Sequence, residues 1–403
     1  MPLHGGKAPA WLFSRMVKLS REITTHIVAE FGSEEMLRRL SDPFWFQAFG
    51  CVLGFDWHSS GVTTTVTGAV KEGIRGLEKD LGLFAGGGKG AVSRNTPSEI
   101  QSACERLSID ARPLVYASRM SAKVDSAAVQ DGYQLYHHAF FFTPSGQWAV
   151  VQQGMNDANG MARRYHWLSA SLESYVNEPH AAICAQAQVP TLNLVATESA
   201  PVRSSSAELS RQKPEVVLSA IKEMPLLTMP RRHAVLVSDV NPQYLQKILL
   251  KTYDRAPEDF ETLLGMEGVG GRTLRALALV SEIIYGTPAS TRDPARFSFA
   301  HGGKDGHPFP VPLRVFDESI AVLRKALDAA RLGHADKLDG MARLDAFTRA
   351  IERQRDPHAD VDAAIAHERA ISPALRGRTV FDDRVPARRR PASAPVQLPL
   401  FPK

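Results

Sequence analysis

Cysteine is scarce in this chain, because its 403 residues include only Cys51, Cys104 and Cys184. The three lie far apart and form no CxxC pair. We therefore expect neither a disulfide framework nor a cysteine-rich zinc site, since both need several cysteines at short spacings. A reducing cytoplasm suits such a sequence.

Long apolar runs are also absent from the sequence. The N-terminus lacks the apolar core of a signal peptide, and no uninterrupted apolar stretch reaches the roughly 18 residues of a membrane span. Hydrophobic residues make up 44% of the chain and charged residues 23%, which are ordinary values for a globular protein. We therefore expect a soluble cytoplasmic protein, and the net charge of +5 permits an acidic partner.

Helical spacing of apolar residues dominates what the sequence does contain. We predict a helix over residues 63–81 and a long helix over about 122–136, with the glycine cluster at 86–90 as a mobile loop. Residues 139–153 differ, because two β-rich runs flank a Pro-Ser-Gly turn and predict a hairpin. The fold class predicted is mainly α (α+β): helical domains with a small antiparallel sheet in the N-terminal half.

Composition divides the chain into four parts. Residues 1–196 are the expected N-terminal α+β domain, which is also the candidate catalytic domain. Residues 197–214 are rich in Ser, Ala and charge, which is typical of a linker. A helical domain is expected over 215–375. Residues 376–403 lack a periodic apolar face, and we expect them to form a disordered tail.

The most informative stretch lies within residues 255–286, where an apolar run meets a Gly-Val-Gly turn and a second helical pattern follows. Gly268 and Gly270 can adopt the positive φ values of a tight turn. The unpaired N–H groups that begin the second helix suit a phosphate. This stretch resembles the helix-hairpin-helix motif of DNA repair and recombination proteins, where Arg272 and Thr273 would add phosphate contacts. An ordinary helical hairpin is the alternative.

One short sequence occurs twice, since His-Gly-Gly-Lys ends at Lys7 and again at Lys304. Chance explains a repeat of this length. The physical alternative is that both segments are flexible loops, each offering its lysine to an anionic ligand such as DNA.

The last residues of the chain resemble the bacterial sliding-clamp-binding peptide, whose core is Gln-Leu, one variable residue and Leu-Phe. Leu398, Leu400 and Phe401 would enter an apolar groove, and Gln397 would fix the register by hydrogen bonds. Such a tether raises the local concentration on DNA without tight intrinsic DNA affinity. The sliding clamp is therefore an expected partner.

The densest set of polar side chains lies on and just before the predicted long helix. Asp131, Gln134 and His138 share one face at helical spacing, and Lys123 and Asp125 lie at or before the first turn. Further polar side chains from across the hairpin could approach that face: Gln152, Gln153, Arg163, Arg164 and His166.

These residue types suit metal-assisted cleavage of phosphodiester bonds. Asp125 and Asp131 would hold a divalent metal, Mg²⁺ or Mn²⁺, while a histidine or lysine of the same set moves a proton or polarises water. Asp56 and His58, in a polar turn, are a second candidate pair for the metal. The alternative is a buried polar network that ties a helix to a hairpin, which uses the same residue types.

Base excision is a further reading of the hairpin region. In helix-hairpin-helix DNA glycosylases a catalytic Asp follows the hairpin after one helix, and Asp293 has a similar place at a slightly longer spacing. Arg272 stands where bifunctional enzymes carry a Schiff-base lysine, and an arginine is too basic for that chemistry. No cysteine set for an iron–sulfur cluster is present.

The sequence as a whole resembles a prokaryotic family known as the domain of unknown function seven-six-three. The resemblance covers residues 1 to about 330 and implies no particular reaction. The matching motifs are Leu3-His-Gly-Gly-Lys-Ala-Pro9, Gly54-Phe-Asp-Trp-His-Ser-Ser-Gly61, Ser121-Ala-Lys-Val-Asp125, Gln130-Asp-Gly-Tyr-Gln-Leu-Tyr-His-His138, Val151-Gln-Gln-Gly-Met155, Arg163-Arg-Tyr-His-Trp167 and Phe297-Ser-Phe-Ala-His-Gly-Gly-Lys-Asp305.

These observations favour a DNA-processing protein of repair or replication, associated with the nucleoid and recruited by the sliding clamp. A metal-dependent, structure-selective nuclease is the more specific expectation. A non-catalytic DNA-binding adaptor is the main alternative, and a metabolic enzyme with an incidental hairpin is another.

Overall fold

The computed structural model describes most of the chain. The described residues are 8–55, 60–185, 188–223, 242–295, 303–304, 307–308 and 313–354. The helices are α1 Ala10–Phe31, α2 Ser33–Ser41, α3 Pro43–Leu53, α4 Gly61–Gly73, α5 Glu78–Leu81, α6 Thr96–Leu107, α7 Arg112–Lys123, α8 Ala200–Ser210, α9 Pro214–Glu223, α10 Pro242–Arg255, α11 Phe260–Gly265, α12 Gly271–Tyr285, α13 Leu313–Ala329 and α14 His334–Gln354. The strands are β1 Phe84–Lys89, β2 Val129–Gln130, β3 Gln134–Phe142, β4 Trp148–Asn156, β5 Met161–Leu168, β6 Ala182–Cys184, β7 Leu192–Asn193, β8 Gly303–Lys304 and β9 His307–Pro308.

The fold is mainly helical with a small antiparallel sheet in its N-terminal half, as the sequence predicts. The sheet has five strands in the order β1-β3-β4-β5-β6. The predicted hairpin is confirmed as strands β3 and β4, which pair from Gln134 opposite Met155 to Phe142 opposite Trp148. Among the described helices, none combines the length and the apolar character that a membrane span requires.

Helices cover both faces of this sheet, because side chains alternate between the two faces along each strand. One face, which we call the α1 face, carries Ala139, Phe141 and Val151 and packs against α1–α4, α13 and α14. The opposite face, the α7 face, carries Phe140 and Val150 and packs against α6–α8 and α10–α12. Neither face of the central strands therefore contacts solvent, and their buried polar residues need partners within the protein.

The predicted long helix over 122–136 is wrong. Helix α7 ends at Lys123, a π-helical turn spans Val124–Ala128, and β3 already begins at Gln134. Gly132, at φ +83°, turns the chain between them. Pairing of the β-rich run with β1 and β4 outweighs its local helical spacing, as tertiary packing commonly does.

The glycine cluster at 86–90 is not a mobile loop, because residues 84–89 form edge strand β1. Gly87 has φ +85°, and a Cβ atom on it would lie 2.1 Å from the backbone oxygen of His138. The glycines therefore allow β1 to approach β3 closely, which is a packing role rather than flexibility. The helix predicted over 63–81 is interrupted, since α4 ends at Gly73 and α5 begins at Glu78.

The predicted linker over 197–214 is also wrong in its central part, where α8 forms. Val202 and Leu209 of α8 are fully buried in the same core as α12. Ser206 is buried as well, and its hydroxyl lies 3.5 Å from that of Ser281. Small serine side chains let α8 and α12 pack closely, so a Ser-rich composition here marks a helix interface.

Candidate functional site

A band of polar residues crosses the sheet where β3, β4 and β5 lie side by side. It consists of three dipeptides, His137-His138, Gln152-Gln153 and Arg163-Arg164. The register places His137 opposite Gln153, and Gln153 opposite Arg164, on the α1 face. Their neighbours in the chain point to the α7 face. The polar side chains that the sequence groups on one helix face are therefore divided between two faces of a sheet.

On the α7 face, the Asp125 carboxylate is the centre of a hydrogen-bond network. It accepts from Gln152 Nε2 at 2.6 Å and from Trp167 Nε1 at 2.9 Å, and it also contacts His180 Nε2. The Gln152 carbonyl oxygen lies 2.9 Å from His138 Nδ1. Asp125 is fully buried, so these donors replace the water that its charge would otherwise require.

The orientation of the Gln152 amide determines which ring nitrogen of His138 carries the proton. Since the amide nitrogen of Gln152 donates to Asp125, its oxygen must accept a hydrogen bond from His138 Nδ1–H. His138 Nε2 is then free to accept from the Ser118 hydroxyl, 2.9 Å away. Burial lowers the pKa of His138, although Gln152 and Asp125 oppose the shift. The ring is neutral and both its nitrogens are paired.

Asp131 belongs to a second network, around the buried guanidinium of Arg163. Asp131 accepts from Arg163 at 2.9 Å, from the Tyr165 hydroxyl at 2.6 Å and from the Tyr133 backbone at 3.0 Å. Arg163 also binds both oxygens of Asp293, at 3.0 and 2.7 Å. Burial opposes the charge of Arg163, but Asp293 and Asp131 outweigh it and raise the pKa of the guanidinium.

Asp293, the candidate for a glycosylase-type catalytic Asp, also accepts hydrogen bonds at both of its oxygens. Beyond Arg163, it accepts from the backbone N–H groups of Val189 and Ala295, at 2.7 and 2.8 Å. It is 5% exposed. This carboxylate joins β5 to two loop segments.

On the α1 face, Arg164 is held by neutral groups from the helical layer and the sheet. Its Nε donates to His166 Nε2 at 2.9 Å, and its terminal nitrogens lie 3.2 Å from the Gln47 carbonyl oxygen. The guanidinium also lies over the ring of Phe46, 4.6 Å from its centroid. His166 Nδ1 contacts the backbone oxygen of Leu40 at 3.0 Å.

The middle of the α1 face is less well paired. His137 Nε2 lies 2.9 Å from the Thr67 hydroxyl, and burial, His138 and Lys89 lower the pKa of His137 to about 3. Gln153 is fully buried, yet neither atom of its amide has a hydrogen-bond partner within the described part of the chain. Such a group carries a desolvation cost that its neighbours do not offset.

The candidate catalytic residues therefore do not form one cluster. Asp125 and His138 share a network, Asp131 belongs to another, Gln134 is exposed at the start of β3, and Lys123 lies at the glycine turn described below. Within the described ranges, no group of three or more His, Cys, Asp or Glu side chains could hold a metal ion.

Several candidate positions lie outside the described residues. For Lys304 the strand is described but its side chain is not. The undescribed positions are Lys7, Asp56, His58, Gln397, Leu398, Leu400 and Phe401.

Ser118, Trp167 and His180 complete the Asp125 network but were not predicted as site residues. Trp167 lies in a motif that the family resemblance includes, and this motif could have indicated it as a site residue. His180 lies outside any helical or alternating pattern, so the sequence carried no indication of its contact with Asp125.

The glycine turn between α11 and α12 has one left-handed residue. Gly268 has φ +86°, and a Cβ atom on it would lie 2.7 Å from Ile248 Cδ1. The prediction of a positive φ at Gly270 is wrong, because this residue is extended at φ −136° as the N-cap of α12. A Cβ atom on Gly270 would have nothing within 4 Å, so the turn is open on that side.

The two residues predicted beside the turn have different surroundings. Arg272 is exposed in the first turn of α12. Thr273 is 1% exposed, and its hydroxyl lies in the interior, so it does not share the surface of Arg272. Lys247 and Lys251 on α10 are exposed on either side of Ile248, which touches Gly268.

The N-terminal half contacts this turn directly. Lys123 Nζ donates to the backbone oxygens of Met266 and Val269, at 3.0 and 2.5 Å. Gln130 donates to the backbone oxygen of Gly271 at 2.8 Å and accepts from Arg275 Nε at 2.6 Å. Lys123, the last residue of α7, and Gln130 of β2 therefore hold both ends of the turn.

The fold and site define a class: a helical protein whose central antiparallel sheet carries buried polar networks and supports an exposed glycine-turn hairpin. The family described as protein of unknown function (DUF763) matches residues 1–311, and the chain belongs to this family. No curated protein and no solved structure matches this chain.

Proposed function

We propose that this protein binds DNA through the α11–α12 hairpin and acts as a factor of DNA repair or replication. The observation that carries the proposal is the open turn at Gly270. The first N–H groups of α12 have no partners within their own helix, and an α-helix N-terminus favours a phosphate by its geometry and its dipole. Only glycine, with no side chain, lets a sugar-phosphate strand approach this backbone closely.

Exposed cations on α12, and on α10 whose Ile248 approaches the turn, support the same proposal. Arg272 lies on α12, and Lys247, Lys251 and Arg255 lie on α10, whose Ile248 touches Gly268. Glu267, exposed within the turn, opposes them. Contacts of this kind bind the phosphate backbone without reading bases, so affinity should fall steeply with salt.

The buried networks favour a DNA-binding factor over cleavage at Asp125 or Asp131. Every oxygen of these two carboxylates accepts from a protein donor, and both side chains are buried. A metal-dependent nuclease, with Mg²⁺ or Mn²⁺, would thus rely on other groups, such as Asp56 and His58. Incubation of the protein with branched and single-stranded DNA and each metal tests for cleavage.

Recruitment by the sliding clamp is the second part of the proposal. It rests on the Gln397–Phe401 peptide of the sequence, which matches the clamp-binding pattern. Pull-down with the purified bacterial clamp tests it, and a chain ending at Val396 is the control. Equal capture of both forms would contradict this part.

The DNA-binding proposal is tested by Gly270→Val. Because Gly270 is extended and faces open space, valine fits the fold and obstructs only the outer surface of the turn. Gly333→Val is the matched control, since a Cβ atom there also has nothing within 4 Å and the residue lies far along the chain. We expect duplex affinity at low salt to fall at least tenfold for the first variant and to stay native for the second. Native affinity in both would reject the hairpin as the binding site.

A further inference from the structure

We propose that Lys123 is the positioning residue of the DNA-binding hairpin, holding the α11–α12 turn in its binding form from the opposite half of the molecule. This inference rests on the proposed function and deepens it. The residue types around Lys123 suggested a catalytic lysine, but its ammonium contacts backbone rather than reacting groups.

The contacts of Lys123 set the direction of two peptide groups. Its Nζ lies 3.0 Å from the Met266 oxygen and 2.5 Å from the Val269 oxygen. In a trans peptide the N–H points opposite to the C=O. With both oxygens drawn toward Lys123, the N–H groups of Glu267 and Gly270 point away from it. The space that a Cβ atom on Gly270 would occupy is open as well.

A lysine suits this role because it supplies three donors and a full charge behind the turn. Lys123 is half-buried, so its bonds to the two oxygens lie in a partly desolvated place, and this burial lowers the pKa of its ammonium.

Gln130 supports the same arrangement at the other end of the turn. Its amide nitrogen donates to the Gly271 oxygen, and its amide oxygen accepts from Arg275. Lys123 and Gln130 flank the π-helical turn Val124–Ala128, which includes Asp125. The buried Asp125 network thereby fixes the segment that carries both contacts, and this connects the polar band to the hairpin.

The test separates positioning from direct contact by salt dependence. The slope of log affinity against log salt counts the phosphates neutralised, at about 0.9 per phosphate. We expect Lys123→Met to weaken duplex binding about tenfold with an unchanged slope, and Arg272→Ala to lower the slope by about 0.9. Lys123→Arg, which restores donors and charge, should recover much of the affinity.

Lys71→Met is the matched control, because Lys71 is also a partly buried lysine bonded to a backbone oxygen, that of Gly87. Its duplex affinity should remain native. If the methionine variant of Lys123 does not fold, Lys123→Gln keeps an uncharged amide with two N–H donors on a shorter side chain and should give an intermediate loss.

Three outcomes would overturn the inference, and each leads to a different conclusion. Native affinity in folded Lys123→Met, with Arg272→Ala impaired, would leave the DNA-binding proposal standing and reject the positioning role. A lowered slope in Lys123→Met would show direct phosphate contact instead. Absence of any duplex binding by the native protein at low salt would reject both proposals together.

Discussion

At the scale of single residues, the deciding property is whether a buried polar group has a partner. Asp125, Asp131 and Asp293 all have several donors, while the Gln153 amide has none among the described residues. The sequence could identify these residues as a polar set, because they stand out in an apolar context. It could not tell which were paired, since pairing depends on strand register.

Removal of Asp131 should destabilise the fold. Asp131→Ala leaves Arg163 with one of its two carboxylate partners in a buried place, and loss of a buried ion-pair partner costs about 3–5 kcal/mol. Urea denaturation measures the change in the free energy of unfolding. Asp110→Ala, which breaks an exposed pair with Arg112, is the control and should have little effect. A fully stable Asp131→Ala protein would contradict the structural role.

Replacement of Gln153 should have the opposite effect and stabilise the fold. Gln153→Leu removes a buried amide that lacks partners and keeps similar volume, so the free energy of unfolding should rise by about 1 kcal/mol. The same denaturation experiment measures it. A decrease would show that a water molecule or ligand satisfies this amide in solution.

At the scale of elements, the strongest local patterns are confirmed and the ambiguous ones are not. The β3–β4 hairpin is confirmed, because its turn residues and β-rich runs are local signals. Helix α3 also begins at a local signal, since the Asp42 side chain before it accepts from two backbone N–H groups. The errors at β1 and at 122–136 share one cause: pairing with distant strands decided the conformation.

The glycine at the β1 crossing gives an element-level prediction. Gly87→Ala must accept a φ of +85° and a contact with the backbone of β3, whereas Gly146→Ala has the same φ with nothing within 4 Å. A positive φ alone costs an alanine about 1–2 kcal/mol. Thermal denaturation should show a clearly larger loss for Gly87→Ala. Equal losses would mean that β1 can move away from β3.

At the scale of the whole molecule, the sheet lies between two helical layers, and its centre contains neutral histidines. Burial lowers the pKa of His137, His138 and His166, and that of His137 falls to about 3. Below about pH 6.5 the unfolded chain therefore binds more protons at these sites than the folded chain does. Stability from these groups is therefore complete above pH 6.5 and is lost as pH falls toward 3.

Acid titration of stability checks this. Between pH 6.5 and 5, the free energy of unfolding should fall by up to about 1.4 kcal/mol per pH unit for each neutral histidine. Urea denaturation at several pH values gives the slope. A flat profile across this range would show that the histidines take up protons in the folded state.

The division into domains was the least predictable property at this scale. One core joins Phe140 and Val150 of the sheet to Leu209 and Leu277 of α8 and α12, across the segment predicted as a linker. The composition of a segment indicates whether it is polar or apolar, but it does not indicate which parts of the protein the segment packs against. The hairpin, by contrast, was visible in the sequence because its glycines and apolar runs are local, and only its contact with Lys123 required the fold.

The most direct test of the account follows the backbone amides of the turn. Protein labelled with ¹⁵N at glycine reports Gly270, Gly271 and Gly333 separately during titration with duplex DNA at low salt. We predict that the Gly270 and Gly271 signals shift with saturation at the binding constant, while Gly333 stays fixed. DNA binding that leaves the Gly270 and Gly271 signals unmoved would contradict the claim that this turn holds the phosphate backbone.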